Sequence, residues 1–236
     1  MPSETLTAFR RGAAESLPMQ LATVPFGLIF GAVAIQAGLD VGQTLGMTTI
    51  VVAGAAQLAA IQLMAEAAPA WLAILTGAVI NLRLAMYSAS IAACWPGASL
   101  RERAVAAFLL HDQAYALSMR RYAERPGEDT PARLAYFRGV AISTILFWFA
   151  GCLAGVALGA GLPPAWRLDF AAPITFLALV APLLRSAPHL AAAGAAGAAA
   201  VALAFLPLNL GLVVAGAAGV AAGAATEAAL KRRGAR

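Results

Sequence analysis

An arginine in the middle of an apolar stretch is the residue of this sequence best suited to chemistry. Arg83 lies near the centre of the run 71–95, where a charged side chain costs about 2.5–3.5 kcal/mol even on lenient membrane-insertion scales. Asn81 precedes it, and Tyr87 and Ser90 follow on the same helix face. A guanidinium there can hold a carboxylate or balance an intramembrane acid. The alternative is that Arg83 reaches the interface or caps carbonyl groups at a helix break near Asn81.

An acidic residue occurs in the next apolar run, 104–119. Asp112 is the only acidic residue near the middle of an apolar run, which makes it the predicted ion partner of Arg83 and the predicted proton carrier. His111 precedes it and shares a helix face with Tyr115, and we assign proton coupling to Asp112 and His111 together. The alternative is that this segment lies at the membrane interface with Asp112 in water.

Amide side chains are the next candidates for substrate binding. Gln57 follows Gly54, Ala55 and Ala56, and such small neighbours leave room for a ligand. The sequence from Asn209 to Leu212 resembles the sequence that begins at Asn81. The alternative for an amide in a helix bundle is an interhelical hydrogen bond. The predicted substrate-binding residues are Gln57, Asn81, Arg83, Tyr87 and Asn209.

The sequence offers little to an enzyme. It contains no HExxH, GxSxG or P-loop motif, and its two histidines are far apart. Cys94 and Cys152 lie in or beside apolar runs, where a thiol packs as a small hydrophobe. We therefore predict no catalytic residue, no metal site and no cofactor. Two alternatives to a transporter stay open: a membrane-embedded enzyme that uses His111 and Asp112 as acid and base, and a non-transporting assembly subunit.

Composition dictates the elements that must position these residues. The chain has 236 residues, of which 61% are hydrophobic and only 11% charged, and its mean hydropathy is +0.80. A soluble domain is about a quarter charged, so a soluble fold is excluded. Only helices satisfy their own backbone groups in lipid at this length. The prediction is an all-α, polytopic membrane helix bundle with seven to eight hydrophobic segments, at about 17–38, 44–64, 71–95, 104–119, 140–162, 171–184 and 190–225.

Basic residues predict which helix ends are cytoplasmic. An arginine pair near the N-terminus, the loop 120–138 and the basic C-terminus should lie in the cytoplasm. Eight simple crossings would then put the loop 97–103, which carries two arginines, on the outside. That exception vanishes if 71–95 is a broken or re-entrant pair of half-helices and 104–119 does not simply cross. Both topologies are open at this point.

Glycines spaced by four residues occur in the first and fifth apolar runs. They put flat strips on helices, and the residues predicted to pack helices in this way are Gly27, Gly31, Gly151, Gly155 and Gly159. The two glycine segments resemble each other, as in transporters built from internal repeats. The predicted organisation is one transmembrane domain over 1–236, with candidate repeats at about 15–119 and 138–228 joined by the cytoplasmic loop 120–138.

Four short motifs occur in order along the chain: Pro25-Phe26-Gly27-Leu28, Ala53-Gly54-Ala55-Ala56-Gln57, Asn81-Leu82-Arg83 and His111-Asp112-Gln113-Ala114-Tyr115. In this order they resemble the AzlC family of branched-chain amino acid permeases, over about 15–214. The resemblance implies the large subunit of a two-component exporter of leucine, isoleucine, valine and often methionine. It also implies a small AzlD-type membrane subunit, coupling to the proton gradient, and a multi-pass protein of the bacterial inner membrane. Both termini should be cytoplasmic, and no nucleic-acid partner is expected.

Overall fold

The fold is helical throughout the residues that the computed structural model describes, which are 2–65, 67–161, 184, 186–206 and 210–234. No β-strand occurs in these ranges, and the predicted all-α class is confirmed. A short 3-10 turn, Leu17–Met19, joins the first two helices. The helices are α1 (Pro2–Ser16), α2 (Gln20–Gln36), α3 (Val41–Ile50), α4 (Gly54–Ala65), α5 (Ala70–Ala92), α6 (Leu100–Phe108), α7 (Asp112–Glu124), α8 (Thr130–Gly161), α9 (Ala187–Ala202) and α10 (Leu210–Gly234).

Three helical stretches of the described ranges are long and apolar enough to cross a membrane. They are Glu4–Gln36, which runs through α1 and α2, together with α5 and α8, and they have 33, 23 and 32 residues. The apolar helices α4 and α9 have 12 and 16 residues, fewer than the roughly 20 that a crossing needs. The predicted count of seven to eight segments is thus higher than the number of clear spans. The predicted segment 171–184 lies almost wholly outside the described residues.

The α1–α2 helix and α8 pack closely along most of their length and run in the same direction. Gly27 faces Trp148, and Gly31 faces Cys152 one turn further along both helices. A Cβ at Gly27 would lie 2.8 Å from the Trp148 carbonyl oxygen, so only glycine permits this approach. The glycines of α8 make the same kind of contact, which pairs Gly151 with Val24, Gly155 with Leu28, and Gly159 with Ala32.

The contacts of this parallel pair have a reciprocal form. Adding 124 to the number of Gly27 gives Gly151, and subtracting 124 from that of Trp148 gives Val24, so each of these two contacts is the counterpart of the other. The next pair of contacts along the helices obeys the same shift. A two-fold relation of this kind is what a duplication would give, and the internal repeat stays a prediction.

Two half-length helices, α3 and α4, follow the first long stretch. A capping box starts α3, because Asp40 Oδ1 accepts a hydrogen bond from the Gln43 N–H at 2.7 Å and Gln43 Oε1 accepts one from the Asp40 N–H at 2.9 Å. The helix ends at Ile50, inside the β-branched run 48–52 that disfavours helix. α4 begins at Gly54, after three residues outside any helix.

These two helices form a hairpin, here named the first hairpin, with its tip at 51–53. Thr48 of α3 lies 3.9 Å from the Cys152 sulfur, and Gly54 of α4 lies against the Trp148 ring, one turn before Cys152 on α8. The next turns of α4 rejoin the end of α2 in one apolar cluster. With 10 and 12 residues, α3 and α4 are about 15 and 18 Å long, half of a bilayer core of about 30 Å.

In contrast to the preceding pair, α5 is uninterrupted. It extends from Ala70 to Ala92 and contains Asn81 and Arg83 in regular helix. The prediction that 71–95 is a broken or re-entrant pair of half-helices is therefore wrong. One asparagine lowers helix propensity by at most about 0.7 kcal/mol, which the surrounding leucine, isoleucine and alanine residues offset.

The break occurs instead in the next segment, where α6 and α7 form the second hairpin with its tip at 109–111. Helix α7 runs parallel to the second half of α5, because Asp112 lies beside Arg83 while Tyr122 lies beside Trp95. Helix α6, with nine residues, must therefore run from the level of Trp95 back to the level of Arg83. The fourth apolar run turns back instead of crossing, which meets one of the two conditions of the second predicted topology, while the other condition, a break in 71–95, is not met.

The end of the second hairpin that is opposite its tip lies at the start of α8. Thr130 Oγ1 donates a hydrogen bond to the Pro96 carbonyl at 2.9 Å. The second half of α1 lies at the same end, since Gly12 faces the backbone of Tyr136 in the second turn of α8. The arginines of the N-terminus, of the loop 97–103 and of the segment before α8 thus share one end of the bundle. The topological exception of loop 97–103 does not arise.

Candidate functional site

An ion pair joins α5 to the tip of the second hairpin. Arg83 Nη2 lies 2.9 Å from Asp112 Oδ2, so the two charged residues of the apolar runs meet as partners. Arg83 lies in the middle of α5 and Asp112 is the first residue of α7, and the pair forms because the hairpin turns back at this depth. Their side chains are 33% and 45% exposed, so a ligand can reach the pair.

Two stacked tyrosines hold α7 against α5 beside this pair. The ring centroids of Tyr87 and Tyr115 are 4.2 Å apart, and the ring planes differ by 8°. The Tyr115 hydroxyl lies 3.0 Å from Ser90 Oγ, and Tyr87 lies near Asp112. Arg83 and Tyr87 of α5 therefore both face Asp112. Tyr115 is not among the predicted site residues, although its position one turn after Asp112 is a usable signal.

His111 immediately precedes α7. Its Nδ1 lies 3.2 Å from the Leu109 carbonyl oxygen, which assigns the proton of the neutral ring to Nδ1 and leaves Nε2 as an acceptor. Nε2 has no hydrogen-bond partner among the described residues, and the residue is 8% exposed. His111 is thus enclosed at the tip of the second hairpin, whereas the Asp112 side chain is partly exposed. The assignment of proton coupling to the two residues stays a prediction.

Two buried polar atoms of the ion pair and its chain neighbours have no hydrogen-bond partner among the described residues. They are Arg83 Nε and His111 Nε2, while the similarly unpartnered Asn81 Oδ1 lies two residues before Arg83 and hence on another face of α5. A buried polar group that stays unpaired costs about 1–3 kcal/mol. A bound polar molecule that reached Arg83 Nε or His111 Nε2 would therefore be stabilised.

Gln57 lies at the tip of the first hairpin. Its side chain is fully buried, and Nε2 donates to the Met47 carbonyl at 3.3 Å and to the Val51 carbonyl. Both carbonyl groups also accept a backbone hydrogen bond, Met47 from the Val51 N–H and Val51 from the Ala53 N–H, each at 2.8 Å, so the Gln57 amide is a second donor to them. Gln57 thus closes the first tip, and none of its described contacts joins it to Arg83. Its Oε1 has no partner in the described structure.

The other predicted residues lie apart from the ion pair. The five glycines predicted for helix packing all lie in the contact between α2 and α8. Asn209 lies outside the described residues. Among the residues that are described, no three histidine, cysteine or acidic side chains come together as metal ligands would. The structure therefore groups Arg83, Tyr87 and Asp112, with Asn81 and His111 as their chain neighbours.

The sequence did not predict a polar network that lies at the arginine-rich end of the bundle. Arg121 donates hydrogen bonds to Glu128 at 2.6 and 3.0 Å and lies over the Tyr136 ring, 4.5 Å from its centroid. Tyr136 donates to Glu15 at 2.6 Å. Hydrogen bonding to Glu128 raises the pKa of Arg121. The network joins the C-terminal end of α7 to α1 and α8. It was not predicted because, in the sequence, its charged residues look like ordinary charges of a cytoplasmic loop.

An apolar groove of about 730 Å³ lies between α4, α5 and α10. Its α5 wall includes Val79 and Ile80, which precede Arg83 by one helical turn. Gln62 and Thr76 are the polar side chains of a lining that otherwise consists of alanine, glycine, leucine, valine and isoleucine. Small-molecule sites commonly occupy about 300–1,000 Å³ and combine apolar walls with few polar groups. The groove has that form, and Arg83 and Asp112 lie outside its lining, with Arg83 one helical turn beyond it on α5.

Known proteins resemble this chain over most of its length. The sequence model of the AzlC protein family matches residues 18–162. A protein of Archaeoglobus fulgidus, named as an uncharacterized membrane protein, is 30% identical over 218 residues, which cover 89% of this chain and 92% of the relative. The inner membrane protein YgaZ of Escherichia coli is 26% identical over 201 residues, or 76% of this chain and 74% of the relative. No solved structure matches the chain.

Proposed function

The chain belongs to the AzlC family, and we propose that it is the transporting subunit of a branched-chain amino acid exporter. The proposed substrates are leucine, isoleucine and valine, with methionine as a further candidate. The proposed partner is a small AzlD-type membrane subunit, and the proposed driving force is the proton gradient. The family and the relatives named as membrane proteins support a membrane protein of this kind.

The observation that carries the proposal is the Arg83–Asp112 ion pair at the tip of the second hairpin. A cation and an acid near the middle of the membrane cost free energy to bury, and such residues commonly mark a substrate or ion pathway. Arg83 can bind a substrate carboxylate, and Asp112 can take up and release a proton. The adjacent apolar groove suits an aliphatic side chain.

The paired half-length helices support the same proposal. In many secondary transporters the substrate lies near the bilayer midplane, between discontinuous helices whose free ends contribute dipoles. The N-terminus of α7 lies at this depth, with Asp112 as its first residue. The arginines at one end of the bundle further support an inner-membrane protein with a cytoplasmic N-terminus.

Two alternative functions make different demands on the residues of the site. A membrane-embedded enzyme that used His111 and Asp112 would need an activated nucleophile or a metal as well, and no potential metal cluster occurs among the described residues. An assembly subunit without transport activity would tolerate the loss of the ion pair apart from its effect on stability. Direct measurement of flux separates these functions from the proposed one.

The test is efflux of radiolabelled leucine from vesicles that contain the chain with and without its small partner. We expect a proton gradient to accelerate efflux when both subunits are present, and Arg83→Ala or Asp112→Asn to lower it by about tenfold or more. Arg120→Ala and Glu124→Gln serve as matched controls, since these residues form an ion pair on the exposed side of α7 and are 62% and 64% exposed.

The result that would overturn the exporter is equally specific. Leucine, isoleucine, valine and methionine would leave vesicles that contain the protein no faster than they leave loaded vesicles without it. The variants at Arg83 and Asp112 would then behave like the controls at Arg120 and Glu124. Transport without the small subunit would overturn only the proposed partnership.

A further inference from the structure

We infer that the charged head of a zwitterionic α-amino acid replaces the Arg83–Asp112 ion pair, with the carboxylate on Arg83 and the ammonium on Asp112. Substrate and proton then exclude each other at Asp112. This inference rests on the proposed function, but it specifies more: which group takes the ammonium, and why one proton is exchanged for one substrate molecule.

The first support is the geometry of the pair. An α-amino acid carries its cation and its anion on one carbon atom, so its natural complement is an anion and a cation that already lie side by side. Arg83 Nη2 and Asp112 Oδ2 are 2.9 Å apart, and both side chains are partly exposed. A zwitterion that enters between them gives each charge a new partner and leaves no charge unpaired.

The second support is the spare hydrogen-bonding capacity at this place. Arg83 uses Nη2 for Asp112, while its Nε has no partner among the described residues, so a carboxylate can be held by two donors of the guanidinium. An ammonium group has three donors. Asp112 supplies acceptor oxygens, and Nε2 of His111, the residue before Asp112, is an acceptor without a described partner.

The third support is the set of groups that face Asp112. From α5 these are Arg83 and Tyr87, and the nearest titratable groups of its own segment are His111 and Tyr115. The charged and titratable residues of α8 contact α7 only at its outer end, about two and a half turns away, where Tyr136 meets Arg121 and Arg133 meets Tyr122. Glu102 and Arg103 belong to the outer half of α6. Arg83 is therefore the one described cation that contacts Asp112.

Mutual exclusion follows from charge. An ionised Asp112 attracts the ammonium of the substrate, whereas a protonated Asp112 offers it no charge and releases it. A proton that arrives on Asp112 from one side of the membrane therefore displaces an amino acid toward the solution to which the site is open. This is exchange of one proton for one zwitterion, and the amino acid crosses chemically unchanged.

The test is equilibrium binding of radiolabelled leucine to the purified two-subunit complex between pH 4 and 8, in which range the ammonium and carboxylate of leucine keep their charges. We expect the apparent Kd to rise once the pH falls far enough for Asp112 to take up a proton, with a limiting slope of about tenfold per pH unit below that point for one competing proton. Asp112→Asn should remove the slope, while His111→Gln should keep it. The deaminated analogue 4-methylpentanoate and the decarboxylated analogue 3-methylbutylamine should each compete at least about tenfold more weakly than leucine.

Each outcome decides between this inference and the proposed function. A Kd that does not change with pH, a slope that disappears in His111→Gln, or an analogue that competes as well as leucine would overturn the inference while leaving leucine export intact. Absence of leucine binding and of leucine flux in the wild-type complex would overturn the proposed function as well.

Discussion

The two hairpins have the same architecture but opposite polar content. Each consists of two helices of about half the length of a bilayer crossing, and each turns back beside the long helices. At the first tip, the Gln57 amide donates to the carbonyl groups at the end of α3. At the second tip, Asp112 pairs with Arg83, and Nε2 of His111 has no partner in the described part of the chain.

The difference shows what a break in a membrane helix can be used for. A break frees backbone groups that must be satisfied inside the protein. At the first tip, Gln57 adds a side-chain donor to two carbonyl groups of its own hairpin, although its Oε1 has no partner among the described residues. The second tip instead carries a partly exposed ion pair, and this charge makes it suited to bind a ligand.

A change in the close contact between α2 and α8 should have the largest effect. A Cβ at Gly155 would overlap the Leu28 backbone, with 2.8 Å to its carbonyl carbon, so we expect Gly155→Ala to destabilise the protein by several kcal/mol and to lower the yield of folded protein. Gly77→Ala is the matched control, because nothing lies within 4 Å of a Cβ there. It should be neutral or stabilise by up to about 1 kcal/mol. Size-exclusion elution and thermal unfolding in detergent measure both, and equal behaviour of the two variants would contradict the close packing of α2 on α8.

At the second tip we expect a loss of activity without a loss of fold. Asp112→Asn preserves the shape of the side chain but removes the charge that Arg83 pairs with. Leucine efflux at equal amounts of folded protein should fall by about tenfold or more, while the midpoint of thermal unfolding changes by only a few degrees. A variant that unfolds and transports in proportion to its folded fraction would make the second tip structural like the first.

At the first tip we expect the reverse. Gln57→Leu removes the side-chain donor from the carbonyl groups of Met47 and Val51, which keep their backbone donors, so stability should fall by about 0.5–1.5 kcal/mol. Efflux per folded molecule should stay within about twofold of the wild type. Gln62→Leu, an exposed glutamine of the same helix, should leave stability unchanged. Loss of transport in a stable Gln57→Leu protein would restore the sequence-based assignment of Gln57 to the substrate.

The smallest change concerns the positioning of Asp112. Tyr115→Phe keeps the ring stack on Tyr87 but removes the hydrogen bond to Ser90. A hydrogen bond contributes about 0.5–1.5 kcal/mol, so the KM for leucine should rise by roughly twofold to tenfold while the unfolding temperature barely moves. Tyr115→Leu, which removes the stack as well, should have a larger effect on KM. An unchanged KM in both variants would show that Tyr115 does not position the acid.

The sequence predicted the class of fold and the charged part of the site, but it did not predict where the helices break. The cost of burying charge made Arg83 and Asp112 conspicuous, and they are partners. Asn81 resembled a breaker but lies inside α5, because a single polar residue cannot offset a long run of good helix formers.

The breaks themselves follow from weaker signals and from tertiary contacts. The β-branched run around Ile50 is a local reason for the first break. Leu109, Leu110 and His111 contain no proline or glycine, and the second break is stabilised by the ion pair and by the tyrosine stack. Such partners are distant in sequence, so the pattern of one segment could not reveal them. The fit of Gln57 to the first tip depends on the same unpredicted geometry.

The most direct test of the account is equilibrium binding of leucine by complexes that carry a change at only one tip. At equal folded protein, Asp112→Asn should weaken leucine binding by about tenfold or more, and Gln57→Leu should bind within about twofold of the wild type. Weakened binding in Gln57→Leu together with unchanged binding in Asp112→Asn would place the substrate at the first tip and contradict the account.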